Sequence, residues 1–304
     1  MGKNLWTKQE EYLLREYWNI GYHPTVIAER LGRTVGATST KANKLGLTSN
    51  IMKPNSPNYK AIYQDYDWCY DCFMVKGMNH EEMAEEANCS KRVIEKWCQE
   101  KHGLTQKYRQ RNMTLNEKQR DLIIGSLLGD GHIDKRETQP VFIVSHAEDQ
   151  KDYLYYKYEI LKNLCNKPPS YIESKTVMFN NKEYLAQPAY RCCTRIHDCL
   201  DEYRKMSIEK IISSLNEYSF SIWILDDASR NKDGMWDLCI GEHIDLADYI
   251  IETLHNKFGI TLRKRKDERY LGLGKEDSKI VDEIILRNIP NDLDIIKTKI
   301  LNKG

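Results

Sequence analysis

Two aspartates stand where apolar runs of helical character end. In Ile123-Ile124-Gly125-Ser126-Leu127-Leu128-Gly129-Asp130-Gly131, the residues Ile123, Leu127 and Leu128, with Leu122 before them, are available for burial. Phe220-Ser221-Ile222-Trp223-Ile224-Leu225-Asp226-Asp227-Ala228 is a second run of this kind. A carboxylate at a helix C-terminus meets the partial negative charge of the last carbonyls, so it is unfavourable there unless something positive joins it. A divalent cation is the obvious candidate, because such ions take hard oxygen ligands. Two such helix ends facing each other would repel without metal, so a shared divalent ion would draw them together. Each run taken alone also reads as a buried helix whose terminal aspartate caps a turn.

The elements around the two aspartates repeat. Gly125 and Gly129, four apart on one helix face, predict the close approach of another backbone, and Gly131 reads as a left-handed stop. Residues 132–136 and 140–145 then read as a hairpin, 149–164 as a tyrosine-rich helix, 171–179 and 184–194 as strands, and 196–205 as a helix. After the second run come a turn at 229–234, a strand at 235–240, a helix at 245–258 stopped by Gly259, a hairpin of 260–266 and 268–273, and a helix at 277–288. Two copies of helix, sheet and helix predict a pseudo-twofold α+β domain over residues 113–304.

The two runs resemble the motifs of single-chain LAGLIDADG homing endonucleases. Residues 123–131 match the nine-residue motif, with Asp130 at its acidic position. Residues 220–228 look like the second motif in its WFMDDG form, with Asp227 at the acidic position and Ala228 where the pattern has glycine. The resemblance spans residues 114–303. It implies two antiparallel sheets forming a saddle over double-stranded DNA, with Asp130 and Asp227 as metal ligands assisted by the backbone carbonyls of Gly129 and Asp226. The expected ion is Mg2+, with Mn2+ able to replace it in vitro. The resemblance further implies one cut per strand, a double-strand break with short 3′ overhangs, and a monomer. It also implies a basic residue near each scissile phosphate: Lys210 before the second motif and Lys297 before the C-terminus, with Lys299 as the alternative to Lys297. DNA-contacting candidates in the first half are Lys135, Arg136, Gln139, Arg191 and Arg195. The second half offers Arg230, Lys232, Arg263, Lys264, Arg265, Lys266 and Arg269. In a two-residue period Arg263 and Arg265 share one face and Lys264 and Lys266 the other, so one set could reach base edges. The other reading is a solvated charged hairpin.

Residues 1–50 and 51–112 read as two small all-α helix-turn-helix domains before this one. Thr7 and Glu10 form a capping box, Pro24 breaks the first helix, Gly32 turns the chain and Thr34 caps a third helix. The first segment is similar to Myb/SANT-like DNA-binding domains, and Thr34, Thr38, Ser39, Lys41 and Lys44 are its phosphate and base candidates. Residues 50–58, with Pro54 and Pro57, read as a linker. Beyond it, helices are expected at 59–75, 79–87 and 90–101, the last two superposing on 23–45, with Lys91, Arg92 and Lys96 outward. Arg109 and Arg111 lie in a basic stretch that reads equally as a phosphate-tracking connector or a solvated linker.

Bulk composition narrows the remaining classes. A net charge of +1 supplies no global basic field, so any nucleic-acid surface must come from local clustering. Runs long and apolar enough for a membrane span are lacking, and residues 1–6 do not look like a signal peptide. Nine cysteines, an odd number, fit reduced thiols in a bacterial or phage-infected cytoplasm, or in an organelle. Cys69 and Cys72 fall inside an apparent helix without a knuckle turn, so they read as buried thiols and no zinc is expected. The competing function is a non-cleaving DNA-binding regulator or an intron-splicing maturase on the same scaffold.

Overall fold

The computed structural model describes residues 6–20, 22–47, 61–134, 140–179 and 182–301. The chain forms two compact units, Met1–Tyr108 and Arg109–Gly304.

The first unit is helical. Helix α1 (Lys8–Ile20) opens with the Thr7–Glu10 capping box: the Glu10 amide donates to Thr7 Oγ1 at 3.1 Å and the Thr7 amide to Glu10 Oε2 at 2.8 Å. Helix α2 (Pro24–Arg30) carries proline at its first position, where the missing N–H costs nothing. Gly32, at φ 61°, turns the chain into α3 (Val35–Lys44), which Thr34 caps. Leu14, Trp18, Ile27 and Ala42 are the buried centre of this trio. The later helices are α4 (Tyr66–Tyr70), α5 (His80–Glu86) and α6 (Lys91–Glu95). Both α4 and α6 continue into a wide helical turn, Asp71–Val75 and Lys96–Lys101 respectively. The stretch expected to be helical from residue 59 is an isolated 3-10 turn, Ile62–Gln64, before α4, and residues 48–60, including the expected linker, lie outside the described residues. The basic connector is a helix, α7 (Gln106–Asn112).

The second unit is built on two packed helices. Both α8 (Glu117–Leu128) and, later, α12 (Glu217–Asp227) begin with a capping box, at Asn116 and Asn216. Strands β1 (Gly131–Ile133) and β2 (Phe142–Ala147) follow α8, then helix α9 (Lys151–Leu161). Next come β3 (Ser170–Ile172), β4 (Lys175–Phe179), β5 (Lys182–Ala186) and β6 (Ala189–Cys193). The sequence predicts two strands over this stretch. Each breaks in two, the second at Pro188, which has no N–H to give a ladder. The pair β4–β5 is a separate ribbon. Helices α10 (Asp201–Lys205) and α11 (Ile208–Ser213) lead into α12. The second half follows as β7 (Ala228–Arg230), β8 (Trp236–Cys239), α13 (Ala247–Phe258), β9 (Leu262–Lys264), β10 (Tyr270–Leu273), α14 (Lys275–Asn288) and α15 (Asp294–Ile296). A final wide turn, Lys297–Leu301, closes the described chain.

The strand orders carry the internal symmetry. One sheet runs β1-β2-β6-β3 and the other β7-β8-β10-β9, and every pair is antiparallel. With the β4–β5 ribbon set aside, both follow the order first, second, fourth, third. The unit is therefore a pseudo-twofold α+β domain.

Helices α8 and α12 meet at the glycines. A Cβ added at Gly125 would stand 2.2 Å from the Ser219 carbonyl oxygen and 2.8 Å from Ile222 Cβ, and one at Gly129 would stand 2.4 Å from Asp226 Cβ. The glycine pair thus lets the two backbones close up, as its spacing predicts. Gly125→Val is expected to destabilise this unit by about 1–3 kcal/mol, the usual cost of overpacking. An unchanged denaturation midpoint would contradict the close approach. Gly131 differs from expectation: it is not left-handed but begins β1, and its small size answers to Ser126 and Phe142, whose Cβ and Cε2 lie 2.8 and 2.9 Å from an added Cβ. Ala228, its counterpart, has ordinary extended backbone (φ −97°, ψ 149°) and is buried, so a methyl group fits there without strain.

Candidate active site

The C-terminal ends of α8 and α12 bring three carboxyl groups together. Asp226 is the innermost, with no side-chain exposure. Lys157 on α9 donates to both its oxygens, at 2.7 and 2.8 Å, and Tyr153 donates its hydroxyl at 3.0 Å. Lys157 Nζ also reaches Ser126 Oγ at 3.3 Å and sits 4.6 Å from the centroid of the Tyr153 ring. Asp130 is the outermost, 38% exposed, and its backbone amide donates to Asp226 Oδ2 at 3.3 Å. Asp227 is half-buried beside them. Burial, reinforced by the negative charges of Asp130 and Asp226, pushes its carboxyl up to about 7 from an ordinary 3.8.

Lys299 answers the helix end itself. Its ammonium donates to the Leu225 and Ala228 carbonyls at 2.8 and 2.9 Å, a cation where the α12 dipole is negative. Burial pushes this ammonium down, against the pull of Asp226, Asp130 and Asp227. Three carboxyl groups therefore face two ammonium groups, and the excess is negative. His146, at the inner end of β2, completes the cluster. Its Nδ1 lies 3.1 Å from Asp130 Oδ2 and its Nε2 4.0 Å from Asp226 Oδ1. Asp130, His146 and Asp226 offer ligand atoms all within 4.8 Å of one another.

The donor set fits a hard divalent cation. Asp130 and Asp227 are oxygen ligands not already taken by a strong protein cation, whereas Asp226 is saturated by Lys157. The raised carboxyl at Asp227 gives a pH dependence with a definite sign. The folded state keeps this proton between the ordinary value of 3.8 and about 7, so the linked stability is lost as pH climbs through that window. Without metal, the melting temperature is expected to fall between about pH 4 and about pH 7, and Asp227→Asn should remove that part of the decline. A flat wild-type profile in chelator would contradict the crowding of these carboxyls.

The sheet faces beside the cluster differ sharply. In the second sheet, Ala228, Leu238 and Leu271 share the buried face, and Lys264 is paired with Leu271 in that row. Its ammonium is met by Asp248 of α13 at 2.8 Å. The solvent face carries the row Ser229, Asp237, Gly272 and Arg263. The Arg265 guanidinium lies over Gly272 and bonds Asp237 Oδ1 through Nε at 2.7 Å. In the first sheet the corresponding face carries His132, Ile143 and Cys193 in one row and Ser145, Arg191 and Ser170 in the next.

The model of the LAGLIDADG DNA endonuclease family matches residues 120–281, more than half of the chain and both helix ends. The chain belongs to the LAGLIDADG family. The DNA endonuclease I-ChuI of Chlamydomonas applanata is 35% identical over 146 residues, 42% of this chain and 66% of that protein. The cytochrome b mRNA maturase bI2 of Saccharomyces cerevisiae is 27% identical over 189 residues, 54% of this chain and 43% of that protein. The matched stretch thus spans less than two thirds of either relative. Among solved structures, the homing endonuclease I-WcaI bound to its DNA recognition sequence shares the fold. Its TM-score is 0.50 at 17% identity, covering 62% of this chain and 87% of that one.

Within this LAGLIDADG chain, the lysines beside the carboxyl cluster are Lys157 and Lys299. Lys297, the first choice on sequence, is exposed and bonds Asp294, while Lys299, the alternative, stands at the helix end. Lys210 is exposed on α11, with Lys157 occupying the inner position in the first half. The resemblance implies a role for the backbone carbonyl of Asp226, but its side chain is what the cluster uses.

Several of the candidate DNA contacts are engaged elsewhere. Thr38 is fully buried on the inner side of α3, and Arg109 is 1% exposed on α7, so neither can reach a phosphate in this conformation. Arg230 is a strut: it lies 4.0 Å from the centroid of the Trp236 ring, bonds the Lys299 and Gly234 carbonyls and pairs with Asp282. Lys41 pairs with Glu11, Arg195 with Asn166, Arg269 with Asp267, and Lys91 with Glu81 and Glu95. Ser39 is half-buried. Thr34, Lys44, Arg92, Lys96, Arg111, Arg191, Lys232, Arg263 and Lys266 are exposed. Lys135, Arg136 and Gln139 lie outside the described residues.

His146, Lys157 and Tyr153 are not among the candidates that sequence reasoning supplies. Their signal is nonetheless present: His146 continues the inward alternation of Phe142 and Val144, and Lys157 sits in the buried stripe of Tyr153, Leu154 and Leu161.

Proposed function

We propose that this chain is a site-specific, divalent-metal-dependent endonuclease that cuts both strands of a long DNA target. The observation that carries this reading is the meeting of Asp130 and Asp227 at two packed helix ends, each at the start of a sheet with an open, polar face. Mg2+ held there would supply charge neutralisation at the phosphate and an activated water. The chain's own residues do the rest. Asp130 and Asp227 bind the ions. Lys157, through Asp226, holds the Asp130 amide in place. Lys299 keeps positive charge at the end of α12, and Arg263 and Arg191 offer guanidinium groups to DNA from the open faces. A single chain carries both halves, so a monomer can cut both strands.

The decisive experiment incubates the full chain with Mg2+ and DNA spanning the site in which its own gene is inserted. Metal-dependent double-strand cleavage is expected. Tight binding without nicking would favour the regulator or the maturase instead, the latter in line with the 27% identity to the cytochrome b mRNA maturase.

The helical unit is proposed to add contacts on flanking DNA, raising affinity through effective concentration. Replacing Lys44, Arg92 and Lys96 together by glutamine is expected to flatten the dependence of log affinity on log salt, by up to about 0.9 for each phosphate no longer neutralised. An unchanged slope would remove these residues from the DNA.

A further inference from the structure

His146 is placed in a way that hydrogen bonding does not explain. Its side chain is completely buried, yet neither ring nitrogen has a hydrogen-bond partner. Leaving such groups unsatisfied ordinarily costs about 1–3 kcal/mol each. The ring is nonetheless fixed, its centroid 4.9 Å from that of Tyr153, whose hydroxyl is itself tied to Asp226. Nδ1 stands 3.1 Å from Asp130 Oδ2, but out of line for a ring N–H to donate to it. Close and out of line is the relation of two ligands that share one small cation. With ligand bonds of about 2.1 Å meeting at about a right angle, the two donor atoms stand about 3 Å apart, and each points at the ion rather than at the other. The opposite nitrogen, Nε2, faces the buried Asp226 carboxylate, 4.0 Å from Oδ1. At that distance the carboxylate is no hydrogen-bond partner, but its charge lies on the far side of the ring, where a metal-bound histidine commonly has a carboxylate.

The internal symmetry shows that this feature belongs to one half only. Val144 pairs with Gly131 just as Leu238 pairs with Ala228, so the strands β2 and β8 correspond residue for residue. Two positions on, His146 corresponds to Ile240, which is buried and has no donor. The partner carboxylate is equally one-sided, since Asp226 corresponds to Gly129 in the first motif.

We propose that His146 is a ligand, through Nδ1, of the divalent ion held by Asp130, so that the chain has one nitrogen-containing metal position and one with oxygen ligands only. This rests on the metal-dependent reading above. The consequence is chemical inequality between the halves. Imidazole favours first-row transition ions over Mg2+, so the position at Asp130 takes Mn2+ or Co2+ preferentially, while the position at Asp227 behaves as an ordinary Mg2+ site.

The test is pulsed electron paramagnetic resonance of Mn2+ added to the full chain without DNA. Wild type is expected to show the nitrogen-14 modulation of a directly bound imidazole. His146→Gln should lose it and bind Mn2+ at least about tenfold more weakly. Mn2+ bound without nitrogen coupling in wild type overturns the proposal, as does failure to take up Mn2+. Coupling that survives in His146→Gln overturns it too, since another histidine would then be the source. Circular dichroism checks that the variant folds; if it does not, His146→Asn is read in its place, with the same loss of coupling expected and survival of coupling overturning the proposal. The nuclease reading stands or falls separately, on Mg2+-dependent cleavage by wild type: cleavage without coupling sinks only the histidine, and coupling without cleavage sinks only the nuclease.

Discussion

Asp130→Asn is expected to abolish double-strand cleavage while leaving DNA affinity nearly intact. The asparagine keeps the size of the side chain and one carbonyl oxygen but removes the charge that holds a cation. Asp130 is the most exposed of the clustered carboxyls, and it contributes its backbone amide, not its side chain, to the contact with Asp226. The fold should therefore tolerate the change. A metal ion stabilises developing charge by several kcal/mol, so its loss should lower the rate about a thousandfold or more. Asp227→Asn should behave similarly for the other strand, so that each single variant nicks rather than cuts if the halves act independently. The readout is a plasmid assay that separates supercoiled, nicked and linear forms, beside a binding assay in Ca2+. Linear product from Asp130→Asn at the wild-type rate would dismiss the site assignment.

Lys157→Met is expected to produce the largest loss of stability. It removes the only ammonium that bonds Asp226 among the described residues and leaves a fully buried carboxylate with Tyr153 and the Asp130 amide alone. Breaking one side of a buried ion pair typically costs about 3–5 kcal/mol. For a unit of this size each kcal/mol corresponds to about 2–4 °C, so a fall of about 6–20 °C in melting temperature is expected. The double variant Lys157→Met with Asp226→Asn should cost clearly less than the two single changes summed, because the stranded charge is gone. Additive losses would mean that the pair is not coupled. The comparison also separates two roles for the ion pair. Buried pairs seldom add net stability over apolar packing, so a mild double variant that cuts poorly would assign the pair to positioning the Asp130 backbone.

The chain shows clearly what one dimension can and cannot carry. The motif helices, their capping residues, the glycine face of α8 and the repeat of helix, sheet and helix are legible, because each is written in local periodicity and turn chemistry. Asp130 and Asp227 are legible for the same reason, since a carboxylate at the end of an apolar helix conflicts with the helix dipole and calls for a counter-charge. The source of that charge is not. Lys157 is 69 residues from Asp226 and Lys299 is 74 from Leu225, and nothing local marks either lysine as their partner. In the same way, the alternation of Arg263, Lys264 and Arg265 defines two faces but not which of them the helices cover. Burial of Leu238 and Leu271 decides that, turning Arg263 to solvent and Lys264 toward Asp248. Thr38 and Arg109 read as polar residues available to DNA until packing buries them. Sequence by itself thus determined the two apolar helices and which aspartates stand at their ends. Only the tertiary structure decided which cations meet them and where His146 lies, because burial and charge pairing depend on elements brought together from far along the chain.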